Sequence, residues 1–186
     1  KVYTPIVENM PSGTAIRPGD ILHMRNGKTI EVINTDAEGR LIMADALAFA
    51  SESKPDIICD VATLTGAAYV ALGVEIGAVF SNNKVTLDSF LNSNNDGFEN
   101  YHSLPLEQSY KSQIKSSIAD MKNSGGRFGG AITAALLLEE FVDDLNWIHL
   151  DIAGPARSRS SNSIYPEGGT GFGVLGYFNF LANEAN

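Results

Sequence analysis

The chain has 186 residues, 44% of them hydrophobic, a formal net charge of −9 and one cysteine. That length fits a single domain with ample apolar material for a core. The acidity, with no basic stripe, argues against nucleic acid and anionic membrane surfaces as partners, and the lone Cys59 allows no internal disulfide. No signal peptide pattern and no bilayer-spanning apolar stretch is visible, which fits a reducing, cytoplasmic setting.

Residues 2–7 read as a strand, with Pro5 marking an edge or an end, and residues 9–20, rich in proline and glycine, read as a loop. Residues 21–24 and 28–33 flank Asn26-Gly27, a strong hairpin signal. Within the second arm, residues 29–33 alternate and are β-branched, so a strand runs into Asn34-Thr35-Asp36-Ala37-Glu38-Gly39-Arg40-Leu41. The apolar run that follows predicts a deeply buried helix, broken only by Asp45 and closed by Lys54-Pro55-Asp56. Ile57–Ala62 reads as a central strand covered on both faces, with Cys59 buried in it. Thr63-Leu64-Thr65-Gly66 leads into a helix over 67–72, and the plain reading of those residues is a capping turn. A short strand over 76–81 and a helix over 86–97 come next, and His102 reads as a surface residue.

Residues 111–122 mix charges without periodicity. Ser124-Gly125-Gly126-Arg127-Phe128-Gly129-Gly130 invites a phosphate-loop reading, but it lacks the Lys-Ser/Thr ending that grips phosphate. Those glycines instead predict a loop packed closely before a buried helix over 131–141. Residues 146–152 form a last core strand with His149 and Asp151 on one face, read as a hydrogen-bonded structural pair in preference to metal ligands. Residues 157–165 are serine-rich and read as mobile, and a terminal helix is predicted over 172–183. The whole reads as an α/β fold of three layers, with a mostly parallel or mixed sheet flanked by helices.

The chemistry concentrates at residues 34–41. Asp36 and Glu38, two apart on an extended segment, share one face at roughly 6–7 Å along the chain. Converging carboxylates need a countercharge, which a divalent cation supplies compactly. Gly39 permits a positive φ or a close approach. Arg40 begins a helix, the wrong end for a cation on dipole grounds, and so suggests an anionic partner. The bland alternative is an acidic turn beside a solvated arginine. A calcium loop is excluded because the position requiring glycine holds Leu41.

The string at residues 34–41 resembles the signature of the leucyl aminopeptidase family, cytosolic two-metal aminopeptidases. The resemblance extends through Glu8-Asn9-Met10-Pro11-Ser12-Gly13, Arg17-Pro18-Gly19-Asp20, Asp60-Val61-Ala62-Thr63-Leu64-Thr65-Gly66-Ala67 and His149-Leu150-Asp151-Ile152-Ala153-Gly154. It implies that Asp36 binds metal and that Glu38 bridges two divalent ions, zinc or manganese. It implies that Arg40, with the backbone around Gly39 and Leu41, holds a bicarbonate that moves a proton during peptide hydrolysis. It further implies that Thr63 and Leu64 bind the peptide backbone, that Gly66 lets a ligand approach, and that Ala131 helps shape the pocket for the substrate's first side chain. Full-length members form homo-hexamers. The family's upstream segment of lysine and aspartate ligands has no counterpart in residues 1–186, which look like the C-terminal portion of a catalytic domain. The expected activity is release of N-terminal amino acids from peptides. The rivals are a non-catalytic chain acting as an assembly subunit and a small-anion or nucleotide binder using the glycine loop.

Overall fold

The computed structural model describes residues 1–95, 97–161 and 165–185. In chain order the elements are β1 (Ile21–His23), β2 (Thr29–Glu31), α1 (Gly39–Ser51), β3 (Ile57–Ala62), α2 (Gly66–Leu72), β4 (Ile76–Ser81), α3 (Lys84–Ser93) and β5 (Asn100–Ser103). A 3-10 helix (Gln108–Ile114), β6 (Met121–Lys122), α4 (Gly130–Glu139), β7 (Asn146–Asp151), β8 (Arg157–Ser158), β9 (Gly168–Gly169) and α5 (Val174–Glu184) complete it. This is a mixed α/β fold of sheets flanked by helices, divided into two compact units, residues 1–58 with 107–145 and residues 59–106 with 146–186. Among the described residues no helix is long and apolar enough to cross a membrane.

In the first unit, β1 and β2 form the hairpin expected around Asn26-Gly27, closed by Gly27 N–H donating to the Met24 carbonyl at 2.9 Å. β6 adds to β2 in parallel. Ile30 and Val32 are fully buried, and the backbone pairing continues past β2 as Val32 N–H donates to the Asp20 carbonyl at 2.9 Å. At the hairpin tip, Asn26 Nδ2 donates to the Glu140 carbonyl at 3.2 Å, while Glu140 pairs with both Lys28 and Lys111. α1 buries one face only (Leu41, Ala44, Leu47 and Ala48), with Asp45 and Phe49 exposed, so the expectation of a deeply buried helix is corrected. Alanine-rich apolarity does not by itself say how many faces are covered. α4 meets its expectation: Ala134 to Leu138 are fully buried. The strand expected over 2–7 does not form. Val2 and Ile6 are exposed, and among the described residues no strand pairs with them.

In the second unit, four strands run in the order β3-β7-β4-β5, with β4 parallel to β5 and antiparallel to β7. β7 and β4 are central and almost wholly buried. β3 lies at an edge with Val61 45% exposed, which corrects its reading as a central strand. An apolar run reports contact on the faces of a sheet and says nothing about the edges. Cys59 on β3 is half-buried; burial, then the charges of Asp60 and Glu184, pushes its thiol up to about 12. α3 starts earlier than predicted because Asn83 caps it, its side chain accepting from Thr86 N–H at 3.1 Å. Phe90 on α3 meets Tyr101, Tyr177 and Phe180 edge-on, and so joins α3 to α5. The start of α5 is held by Glu99, buried, which accepts from Gly173 N–H at 2.9 Å and Gly176 N–H at 2.7 Å. His102 is exposed, as expected. The serine-rich stretch predicted over 157–165 begins with β8, and its residues 162–164 lie outside the described residues.

Candidate active site

The turn between β2 and α1 carries the acidic pair. Asn34 Oδ1 accepts from Asp36 N–H at 3.0 Å, and the Asn34 carbonyl accepts from Ala37 N–H at 3.3 Å. Ala37 points into the core at 8% exposure, which turns its two neighbours outward. Asp36 is exposed and Glu38 half-buried, and among the described residues neither carboxylate has a hydrogen bond or an ion pair. Glu38 is the N-cap of α1, its carbonyl accepting from Leu41 N–H at 2.9 Å. Gly39 is the first helical residue, so its backbone is helical and the positive φ allowed for it is not used. Arg40 is only 9% exposed, which rules out the solvated arginine of the bland alternative.

The turn is held by a residue that sequence reasoning missed. Asn123, fully buried just after β6, accepts at Oδ1 from Ile33 N–H (2.9 Å) and Asn34 N–H (3.2 Å). Its Nδ2 donates to the carbonyls of Asn34 (2.6 Å) and Ala37 (3.5 Å). Ala131, in the first turn of α4 in the same unit, is 6% exposed. The glycine run ahead of it serves packing, as expected: Gly129 takes φ +67° at the α4 N-cap, where a Cβ would lie 2.8 Å from the Tyr110 ring.

Thr63, Leu64 and Gly66 belong to the other unit, at the end of β3 and the start of α2. Asp151, 1% exposed on β7, organises them: Oδ1 accepts from Leu64 N–H (3.1 Å), Thr65 N–H (3.3 Å) and Ala153 N–H (3.2 Å). Its Oδ2 accepts from Thr65 Oγ1 at 2.6 Å, and that hydroxyl in turn accepts from Ala68 N–H at 3.0 Å and caps α2. The capping turn is therefore present, and Thr63 and Gly66 are left exposed beside it. The hydrogen-bonded pairing of His149 with Asp151 expected from sequence is corrected: His149 Nδ1 meets Asp60 Oδ1 at 2.5 Å, and Asp60 Oδ2 accepts from Trp147 Nε1 at 2.6 Å. Residues of one face share a side of the sheet, and which cross-strand partner each takes is settled by β3, whose register the sequence does not display. Burial pushes the His149 imidazolium down, but the facing Asp60 carboxylate, with Asp151 behind it, leaves its pKa raised overall.

Asp36 and Glu38 suit a hard divalent cation in kind, as free carboxylates on a fixed turn. In number they fall short of a closed site: among the described residues no group of three or more His, Cys, Asp or Glu is placed to hold a metal. The profile of the "Cytosol aminopeptidase family, catalytic domain" matches residues 1–176. A "Probable cytosol aminopeptidase" of Syntrophotalea carbinolica is 51% identical over 180 residues, which is 97% of this chain and 36% of that protein. One of Synechococcus sp. (strain CC9902) is 51% identical over 179 residues, 96% of this chain and again 36% of the relative. Among solved structures, a point mutant of tomato leucine aminopeptidase superposes with a TM-score of 0.89 at 44% identity, covering 95% of this chain and 34% of that one. The bottromycin maturation enzyme BotP in complex with Mn gives a TM-score of 0.92 at 39% identity, covering 97% and 41%. This chain thus spans about a third of the length of the relatives it matches, and with residues 1–176 in the catalytic domain it belongs to the cytosol aminopeptidase family.

Proposed function

We propose that the protein is a metal-dependent aminopeptidase that releases N-terminal amino acids from peptides, and that residues 1–186 are the C-terminal portion of its catalytic domain. The observation that carries this reading is the pair of unpartnered carboxylates, Asp36 and Glu38, presented by a rigid turn in a chain of this family. Asp36 and Glu38 would be the ligands this chain contributes to two divalent cations, zinc or manganese, with Glu38 shared between them. A relative in the family's fold is described in complex with Mn. Bound there, the cations supply Lewis acidity to water and to the scissile carbonyl. Arg40, with the Gly39 and Leu41 backbone, would hold a bicarbonate, which would supply a base at that position. Burial of the guanidinium supports this role, since a desolvated cation interacts more strongly with an anion than a solvated one does. The exposed Thr63 and Gly66, with Leu64, bind the peptide backbone, and Ala131 helps shape the pocket for the first side chain. The complete protein acts in the cytoplasm as a homo-hexamer.

A second reading, a non-catalytic assembly subunit, draws on the absence of a three-ligand cluster among the described residues. The two separate in the complete protein. Glu38→Ala is expected to lower turnover at least a hundredfold and to reduce bound metal, because a bridging ligand serves both ions. Arg40→Ala is expected to lower turnover with metal content unchanged. No cleavage of an aminoacyl reporter amide above a metal-only blank by the complete wild-type protein would favour the assembly subunit, whereas wild-type turnover and metal content in Glu38→Ala would overturn the ligand assignment.

A further inference from the structure

We propose that Asn123 is a positioning residue for the metal-ligand turn, fixing the backbone from which Asp36 and Glu38 project. This rests on the reading of those two carboxylates as metal ligands. Asn123 touches neither of them. Its side-chain amide instead brackets the turn, with two contacts before Asp36, at Ile33 N–H and Asn34 N–H, and two that take up the carbonyls of Asn34 and Ala37. The Ala37 carbonyl belongs to the residue between the two carboxylates. All four groups are main chain, so the amide acts on backbone direction, and the side chains follow it.

Three features make this more than a loop contact. Asn123 has no exposed surface, so no water competes for its hydrogen bonds. Its own backbone is fixed, since Asn123 N–H donates to the Glu31 carbonyl at 2.9 Å as β6 runs beside β2. Its inventory also matches the need: one amide supplies an acceptor to two N–H groups and a donor to two carbonyls, which neither aspartate nor a hydrocarbon of that size can do. A turn held this way has already lost its freedom before a cation arrives. Ligand ordering is then not subtracted from the binding free energy.

The test uses the complete protein with its metals removed, titrated with Mn²⁺ alone by calorimetry, with thermal melting in parallel. Asn123→Ala is expected to weaken Mn²⁺ binding about 10- to 100-fold, the usual effect of removing a group that orients ligands. Asn123→Ser, which keeps one small neutral group able to donate and to accept, is expected to fall between it and the wild type, and serves in its place if the alanine variant does not fold. Asp120→Ala is the control. Asp120 accepts from Thr29 N–H and Oγ1, both at 2.7 Å, so its loss loosens the same pairing of β6 with β2 without touching the turn. It is expected to lower the melting temperature and leave Mn²⁺ affinity unchanged. Affinity within twofold of wild type in both Asn123 variants, while Glu38→Ala loses it, would overturn the positioning role alone. An equal loss in Asp120→Ala would overturn it as well, by showing that general loosening suffices. Undiminished Mn²⁺ affinity in Glu38→Ala would overturn the ligand assignment and this proposal with it.

Discussion

Asp36 and Glu38 could be singled out as candidates from sequence because what marks them is local: two carboxylates two apart, a glycine and an arginine, between a strand pattern and a helix pattern. Asn123 could not, and for Asp151, picked out beside His149, the partners could not. Their partners lie 89 and 86 residues away, and a buried asparagine or aspartate carries no mark of which backbone it serves. Asp60 is of the same kind, and it allows a test at this scale. It holds His149 against Trp147 and Phe80, whose rings stack on the imidazole at 5.8 Å each, while His149 Nε2 is buried without a hydrogen-bond partner among the described residues. The folded pKa of His149 is raised above the ordinary histidine value of about 6.5. The charged pair therefore stabilises the fold fully below that value, and the contribution is lost as pH rises through the higher folded value. Melting temperature is expected to decline from about pH 6.5 upward. Asp60→Ala should flatten that decline and cost about 3–5 kcal/mol near pH 6, since it strands a buried imidazole. An equally steep decline in the variant, followed by circular dichroism across the same pH range, would show that another group titrates.

Helices and central strands were mostly visible before the structure, and the departures share a cause. The run at 2–7 has strand chemistry, yet a strand needs a neighbour, and the sequence does not say where one is. β3 has the apolarity of a central strand and occupies an edge. α5 was legible as a helix, while the close approach that fixes it was not. A Cβ at Gly176 would lie 2.1 Å from Tyr101 Oη and 2.8 Å from Tyr101 Cζ, and that ring cannot retreat easily, being packed on Phe90 and Phe172 and bonded to Glu99 at 2.6 Å. Gly176→Ala is accordingly expected to destabilise the protein by about 1–3 kcal/mol, despite alanine's better helix propensity. Urea unfolding would measure it. A gain in stability would mean that α5 slides freely over β5.

For the molecule as a whole, the order of predicted elements indicated an α/β fold, and the length, which fitted a single domain, left its division into two units unannounced, because contacts between distant segments define a unit. The donor count also belongs at this scale. A catalytic cation takes at least three protein ligands while keeping a position open, and the described residues offer no cluster of that size. Residues 1–186 expressed alone are expected to bind at most one Mn²⁺ or Zn²⁺ weakly and to cleave no aminoacyl reporter amide above a metal-only blank. Two tight sites by calorimetry, with turnover lost in Glu38→Ala, would contradict this. Exposed apolar side chains on α5, Val174 at 72% and Phe178 at 67%, lead us to expect self-association of that isolated chain in sedimentation, in spite of its net charge of −9.

The raised thiol of Cys59 also matters for how this chain can be handled at the bench. With its pKa pushed up to about 12, the thiol carries very little of the reactive thiolate at pH 7. Because residues 1–186 hold no other cysteine, the folded chain is expected to react only slowly with maleimides and disulfide reagents. A Val85→Cys handle on the exposed start of α3 should therefore take up one equivalent of a fluorescent maleimide within minutes, while Cys59 reacts only after urea is added. Spectroscopic probes can then be installed one at a time without first engineering a cysteine-free background.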